Sequence, residues 1–160
     1  MLISKAEQTG NKSTSETFIL SEMVTGLIND ISELAILRSQ RLESYIASDI
    51  KITGDRDLIQ RAISNLLSNA IMHSPEQAVI TIMLEGKKLI VRNGGIQISR
   101  EDLPRLFEPF YRVDASRSSK TGGSGMGLYF AKIVFDRHGA SCFINNTADG
   151  VEVIVEFSLL

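Results

Sequence analysis

Cysteine occurs once in this 160-residue chain, at Cys142, which excludes an internal disulfide framework and a cysteine-based zinc cluster. The single thiol fits a reducing compartment and is expected in a buried strand. A surplus of charge is missing too. Seventeen basic against nineteen acidic residues leave a net charge of −2, so no overall basic field exists to hold nucleic acid or anionic lipid. Any anion site has to be local. No apolar run approaches the roughly 18 residues needed to cross a bilayer, and the opening "MLISKAEQTG" lacks the basic start and apolar core of a signal peptide. The chain is therefore read as soluble, with any membrane anchor outside it. Histidine is confined to His73 and His138. What remains is ample: 43% hydrophobic residues, enough for one globular domain with its own core, and twelve glycines. Four of these, Gly122, Gly123, Gly125 and Gly127, fall within six positions.

Periodicity predicts the elements. Residues 1–16 pass from "MLISKAEQ" into the polar linker "TGNKSTSE". "TFIL" (17–20) reads as a short strand, and Ser21 as the N-cap of a helix whose Met23, Val24, Leu27, Ile28, Ile31, Leu34 and Ala35 recur at three and four. "ESYIAS" (43–48) and "IKIT" (50–53) are extended; Asp55 after Gly54 is an N-cap for a helix over about 56–73, which Pro75 ends. "AVITIMLEG" and "KKLIVRN" alternate as a hairpin about Gly86-Lys87. From Gly94 to Gly127 regular periodicity fails, apart from a short helix around 100–107, and a stretch this long marks a functional loop or lid. A helix over about 125–138 ends at Gly139, with a favourable dipole interaction assigned to His138, and two strands, "SCFINN" and "VEVIVEFSL", meet across Ala148-Asp149-Gly150. This order predicts an α+β domain, a mostly antiparallel sheet with helices on one face.

Four segments carry candidate chemistry. "GGSGMG" opens a helix, where bare backbone N–H groups and the helix N-terminus attract an anion, although a flexible hinge uses the same letters. In "RAISNLLSNAIMHSP", Asn65 and Asn69 are four apart and project from one helical face. They are either a solvent-facing pair or, through a side-chain carbonyl, part of the sparse oxygen set that Mg²⁺ takes. In "VRNGGIQIS", Asn93 at a strand end before two glycines either turns the chain or contacts a planar ring. "LPRLFEPFYRVDASRSSK" interleaves Phe107, Phe110 and Tyr111 with Arg105, Arg112, Arg117 and Lys120. Single-stranded nucleic acid is one reading of such a mixture; the nearby acids Glu101, Asp102, Glu108 and Asp114 favour a lid over a polyphosphate instead.

In this order and spacing the four segments resemble the N, G1, F and G2 boxes of the catalytic and ATP-binding domain of bacterial two-component sensor histidine kinases, within the gyrase, heat-shock chaperone, kinase and MutL (GHKL) ATPase superfamily. The resemblance covers roughly 17–158. It implies the two-layer α/β sandwich of that superfamily, the Bergerat fold, with 17–160 as the catalytic domain, an ATP lid over about 99–124, and 1–16 as a linker and the tail of a preceding dimerisation helix. By position it implies Asn69 as the Mg²⁺ ligand and Asn65 beside the phosphates. His73, Asn93, Gly95 and Ile98 fall near the nucleotide, Phe110 and Lys120 in the lid, and Arg112 by the terminal phosphates. Gly123, Gly125, Met126, Gly127 and Leu128 form the phosphate-facing end of the lid. Asn65, Asn69 and Arg112 would be the catalytic set.

An amide at 65 is a poor proton acceptor, which disfavours hydrolysis and leaves the holding of ATP for an external nucleophile. Three positions depart from the family pattern: Asn93 replaces an aspartate, Gln97 a glycine and Met72 a lysine. The neutral contact of Asn93 with adenine predicts roughly five- to tenfold weaker binding. The implied partners are the protein's own dimerisation and phosphoacceptor helices, absent here, and a response regulator, with no nucleic acid and no membrane contact by this fragment. The full-length protein would be a homodimer, the cytoplasmic part of an inner-membrane sensor, and the fragment a monomer. The alternative is a nucleotide-gated binding module, like an anti-sigma-factor kinase or a degenerate kinase domain, without phosphotransfer.

Overall fold

The computed structural model describes residues 14–111 and 126–158. The chain begins with a two-stranded ribbon, β1 (Ser15–Ile19) paired antiparallel with β3 (Lys51–Asp55), fastened on its outer face by Thr17 and Thr53, whose hydroxyls lie 2.8 Å apart. Between these strands run α1 (Leu20–Leu37) and β2 (Arg41–Ile46). The expected strand at 17–20 thus lies two residues earlier at its start, taking in Ser15 and Glu16 of the expected linker, and ends one residue early because Leu20 already begins the helix.

Ser21 is not the N-cap. Ile19 holds that place without a side-chain bond, and the Leu20 N–H donates to the Ile50 carbonyl at 2.7 Å. Ser21 is buried one step inside the helix, where its hydroxyl donates to the Ala47 carbonyl at 2.7 Å and accepts from the Ile50 N–H at 2.9 Å. The turn between β2 and β3 therefore satisfies the helix start from outside, which a local capping rule does not anticipate.

The second helix follows its sequence signals closely. Asp55 caps α2 (Arg56–His73) by accepting from the Leu58 N–H at 3.1 Å. Its far end is satisfied by residues distant in sequence. Arg38 donates to the carbonyls of Ile71 (3.2 Å), Met72 (3.4 Å) and Ser74 (3.2 Å), and the buried Gln40 amide donates to Ile71 (2.9 Å) and Ser74 (3.0 Å). These side chains occupy carbonyls that a helix C-terminus otherwise leaves without partners.

β4 (Val79–Glu85) and β5 (Lys88–Gly94) form the expected hairpin, with Glu85 opposite Lys88 and Gly86 at φ 58° in the first turn position. After a 3₁₀ turn at Leu103–Arg105, shorter than the helix expected around 100–107, come α3 (Gly127–Arg137), β6 (Ser141–Asn146) and β7 (Gly150–Glu156). Five strands form one sheet in the order β2-β4-β5-β7-β6, with only the β2–β4 pair parallel. β2 lies two residues earlier than expected because its ladder to β4 runs from Arg41 opposite Val79 to Ile46 opposite Leu84.

Alternation along these strands sends Ile80, Ile82, Leu84, Leu89, Val91, Val153 and Val155 into the helix layer, where they meet Leu66, Leu67, Phe130 and Phe135. Each such large side chain, when fully buried, stabilises the fold by about 1.5–3 kcal/mol. Phe135 meets Phe157 edge to face at 5.9 Å. Cys142 lies in this core as expected, and burial pushes its thiol up to about 12.

His138 has a different role from the expected dipole contact. Its Nε2 accepts from the Asp55 N–H at 3.0 Å and its Nδ1 lies 2.7 Å from the Val134 carbonyl, so the ring is a neutral Nδ1–H tautomer bridging the end of α3 to the start of α2. Gly54 is required beneath it, since a Cβ there would come within 2.6 Å of the imidazole.

Candidate functional site

α2 assembles the site. Asn65, Asn69 and His73 follow one another at intervals of one turn, on the face opposite the buried Ile63, Leu66, Leu67, Ala70 and Ile71. Both asparagines are half-buried and His73 is exposed. At one end of the row, the Asn65 amide lies 3.5 Å from the Gly127 carbonyl, and a Cβ on Gly127 would touch the Asn65 side chain at 3.8 Å. The first residue of α3 is thus held directly against the first asparagine. Met126 and Leu128 flank it, half-buried, and the first turn of α3 contains no acidic residue, so its positive end is not neutralised locally.

Past the other end of the row the glycine turn after β5 closes on Pro75, two residues beyond α2. Gly95 has φ 91°, and a Cβ there would come within 2.8 Å of the Pro75 ring. The turn is also tied to the β6–β7 connection. The Gly95 N–H donates to the Asp149 carbonyl at 2.8 Å, and Ile98 and Asn146 exchange two bonds of 2.8 and 2.6 Å. The Gln97 amide donates to the Thr147 carbonyl at 2.5 Å, which gives this departure from the family glycine a structural use on the side of the turn away from α2. Asn93 sits half-buried at the end of β5, opposite Val151.

The described start of the lid is anchored on α3. Phe107 packs against the core and lies 5.8 Å beneath the Lys132 ammonium. Asp102 accepts from the hydroxyls of Ser99 and Tyr111, which hold its carboxyl below the ordinary range, and the same bond raises the Tyr111 phenol. Arg105 stacks over the Tyr111 ring at 4.3 Å. Phe110 is 70% exposed with φ 65°. Arg112, Lys120, Gly123 and Gly125, like the second half of the expected lid, lie outside the described residues.

The structure therefore brings Met126, Gly127 and Leu128 to the row of Asn65, Asn69 and His73, and Gly95 against Pro75 just past its end; Asn93 lies at the end of β5, two residues before Gly95, and Ile98 is tied to Asn146 instead. Sequence reading missed Arg38, Gln40 and Asn146, which position this face and the turn beside it. No local signal marks them, since each acts on carbonyls or amides more than 30 residues away.

Comparison with known proteins agrees with this geometry. Residues 54–160 match the family model described as histidine kinase-, DNA gyrase B-, and HSP90-like ATPase. Over 150 residues, 91% of this chain, it is 33% identical to the phosphate regulon sensor protein PhoR of Pseudomonas aeruginosa, of which it covers 34%. Against the sensor histidine kinase CusS of Escherichia coli K12 it is 36% identical over 115 residues, 69% of this chain and 24% of that protein. The solved catalytic domain of histidine kinase ThkA, in a nucleotide-free form, superposes with a TM-score of 0.77 at 26% identity, over 89% of this chain and 96% of that one. The chain spans about a third of the length of the curated relatives it matches.

The fold and these matches place the chain among the GHKL-type ATPase domains. The chain belongs to the histidine kinase-, DNA gyrase B-, and HSP90-like ATPase family, in its sensor histidine kinase branch. Among the described residues no helix is long and apolar enough to cross a membrane.

Proposed function

We propose that this domain binds Mg²⁺-ATP along the Asn65–Asn69–His73 face and donates the γ-phosphate to a histidine on a separate dimerisation domain, from which a response regulator is then phosphorylated. The observation that carries the reading is the enclosure of that face from both ends, by Gly127 at Asn65 and by Gly95 at Pro75. The distance between the two closures, about three helical turns or roughly 15 Å, suits an extended nucleotide triphosphate.

The adenine end is assigned to Asn93 and Gly95, where the backbone is bare and a planar ring fits. The phosphate end is assigned to the start of α3, whose N-terminal N–H groups and helix dipole favour an anion, with no acidic residue in the helix's first turn. Asn69 contributes its side-chain oxygen to Mg²⁺, and Asn65 orients the phosphates. The donor chemistry fits that ion. Among the described residues no cluster of histidine, cysteine or carboxylate could supply a full protein cage, and Mg²⁺ ordinarily keeps most of its shell for water and phosphate. Held there by Asn69, the ion would supply charge neutralisation at the phosphates.

Asn65 cannot serve as a general base, so the row holds ATP without activating water. The contribution of this chain is positioning: the phosphate chain is fixed against α3 while an external imidazole approaches. In this reading the domain works within a homodimeric sensor, on the cytoplasmic side of the membrane. The residues before β1 would link it to its dimerisation helices.

Adding the dimerisation helices in trans with Mg²⁺-ATP should yield acid-labile phosphate on their histidine. Asn69→Ala should abolish that transfer and Mg²⁺-dependent nucleotide binding with a melting temperature near that of the parent. Nucleotide binding without transfer would instead favour the nucleotide-gated binding module. General unfolding of the Asn69→Ala variant would make the residue structural.

A further inference from the structure

A cavity of about 160 Å³ lies between the β1–β3 ribbon and the end of the main sheet, and no residue of the asparagine row lines it. Its inner wall is apolar, formed by Ile52, Ile59 and Phe157, none more than 8% exposed. Its rim carries Lys51, Lys87, Thr17 and Ser158. Among the described residues no aspartate or glutamate lines it. Asp55, next in the chain, turns its carboxylate to the Leu58 N–H, and Glu156 pairs with Lys88 at 3.6 Å. Lys51 and Lys87 therefore have no ion pair among the described residues. Lys87 uses one of its three donors on the Ser158 carbonyl, at 3.4 Å.

The cavity also runs along the edge of β3 opposite β1, which no described strand covers. Amide directions alternate along a strand. The Ile50 carbonyl points toward β1, where it meets the Leu20 N–H, whereas the Asp55 N–H points away from β1 to reach His138, itself a wall of the cavity. Thr53 shares the direction of Asp55. Its pairing with Thr17 is accordingly the side-chain-close kind, with hydroxyls 2.8 Å apart, and its N–H has no partner among the described residues.

Two unpaired ammoniums and a bare strand-edge N–H, with no acid beside them, suit an anionic head. The apolar wall suits a carbon body. At about 160 Å³ the cavity is close in size to the roughly 150 Å³ apolar cavity that holds a benzene molecule, so that body is one ring or a short branched chain. We propose that this cavity binds a small carboxylate carried on an apolar body of about benzene size. The carboxylate faces Lys51, Lys87 and the Thr53 N–H, and the body rests on Ile52, Ile59 and Phe157. A guest of about nine non-hydrogen atoms at a rim open to solvent binds weakly, with a Kd of about 1 mM.

Benzoate and its neutral counterpart benzamide test this, titrated to about 20 mM at constant ionic strength and followed by amide shifts. Benzoate should saturate with the largest changes at Thr53, Lys87, His138 and Ser158, and benzamide should bind about tenfold or more weakly. The double variant Lys51→Met, Lys87→Met keeps the apolar stems and removes the charge. It should weaken benzoate by about tenfold and leave benzamide unchanged. No saturation at about 20 mM, equal affinity for the two probes, shifts centred on the Asn65–His73 face, or a double variant that binds benzoate like the parent would overturn the proposal. No nucleotide enters these titrations, so their failure is distinct from failure of the nucleotide reading.

Discussion

Gly150 stands where β7 begins, directly opposite Gly94 at the end of β5, and both strands crowd it. An alanine Cβ there would lie 2.0 Å from the Asn93 carbonyl oxygen and 2.9 Å from both the Asn93 carbonyl carbon and the Gly94 Cα. All three are backbone atoms, so no rotamer change relieves the clash. Restoring an ordinary contact of about 3.2 Å requires the two strands to part by roughly 1 Å. Two bonds lie in the path of that movement: Gly95 N–H to Asp149, at 2.8 Å, and Thr147 N–H to Gly150, also at 2.8 Å. Overpacking of about 1–3 kcal/mol and the weakening of two hydrogen bonds at about 1 kcal/mol each give a loss of about 3–5 kcal/mol for Gly150→Ala. For a domain of this size that is a fall in Tm of roughly 10 °C. Urea and thermal unfolding followed by circular dichroism measure it. The displacement falls on Asn93 and Gly95, so the surviving folded fraction should also bind nucleotide more weakly. A variant within about 0.5 kcal/mol of the parent would refute the reasoning, since surface substitutions without such contacts fall in that range.

Gly26 provides the opposite case. It is exposed in the middle of α1 with nothing within 4 Å of a Cβ, so Gly26→Ala should stabilise the domain by about 0.5–1 kcal/mol through helix propensity, read as a higher Tm. Cys142 should resist thiol reagents at pH 8, and its labelling rate should equal the rate of unfolding, because burial holds the thiol protonated up to about 12. Its folded value is raised, so the contribution is fully present below the unfolded value of about 8.5. Stability then falls as pH rises toward about 12, where the unfolded chain releases a proton that the native state retains. Cys142→Ser should show a shallower alkaline decline in chemical denaturation.

Much of this fold was legible because local rules and tertiary packing agree. The Asp55 cap, the spacing of Asn65 and Asn69, the Gly86-Lys87 turn and Gly139 at φ 70° all do in the structure what their residue types favour locally. Reading failed where a distant partner replaced a local one. Ser21 has the composition of a cap, but the Ile50 carbonyl reaches the helix start first and frees the hydroxyl to bind across the β2–β3 turn. β2 and β3 read only as extended, with no partner assigned; β3 pairs with β1 while β2 joins β4 in parallel. Pairing over such separations leaves no periodic trace. His138 similarly has the position of a dipole partner, and only the approach of the Asp55 N–H fixes it as a neutral bridge.

In the candidate site, the amide row on α2 was legible from a spacing of four, and the two glycine contacts that close it were not. Gly95 against Pro75 and Gly127 against Asn65 depend on how the β5 turn and α3 dock on the helix. The use of Gln97 as a tether to Thr147, and of Arg38 and Gln40 as partners for the end of α2, lies equally beyond local pattern.

The most direct test of the account is a titration of the domain with Mg²⁺ and a nonhydrolysable ATP analogue, followed by amide shifts. Saturable binding at or below millimolar nucleotide is predicted, dependent on Mg²⁺, with the largest changes at Asn65, Asn69, His73, Asn93, Gly95 and Gly127. No change at millimolar nucleotide, or changes centred away from the Asn65–His73 face, would contradict it.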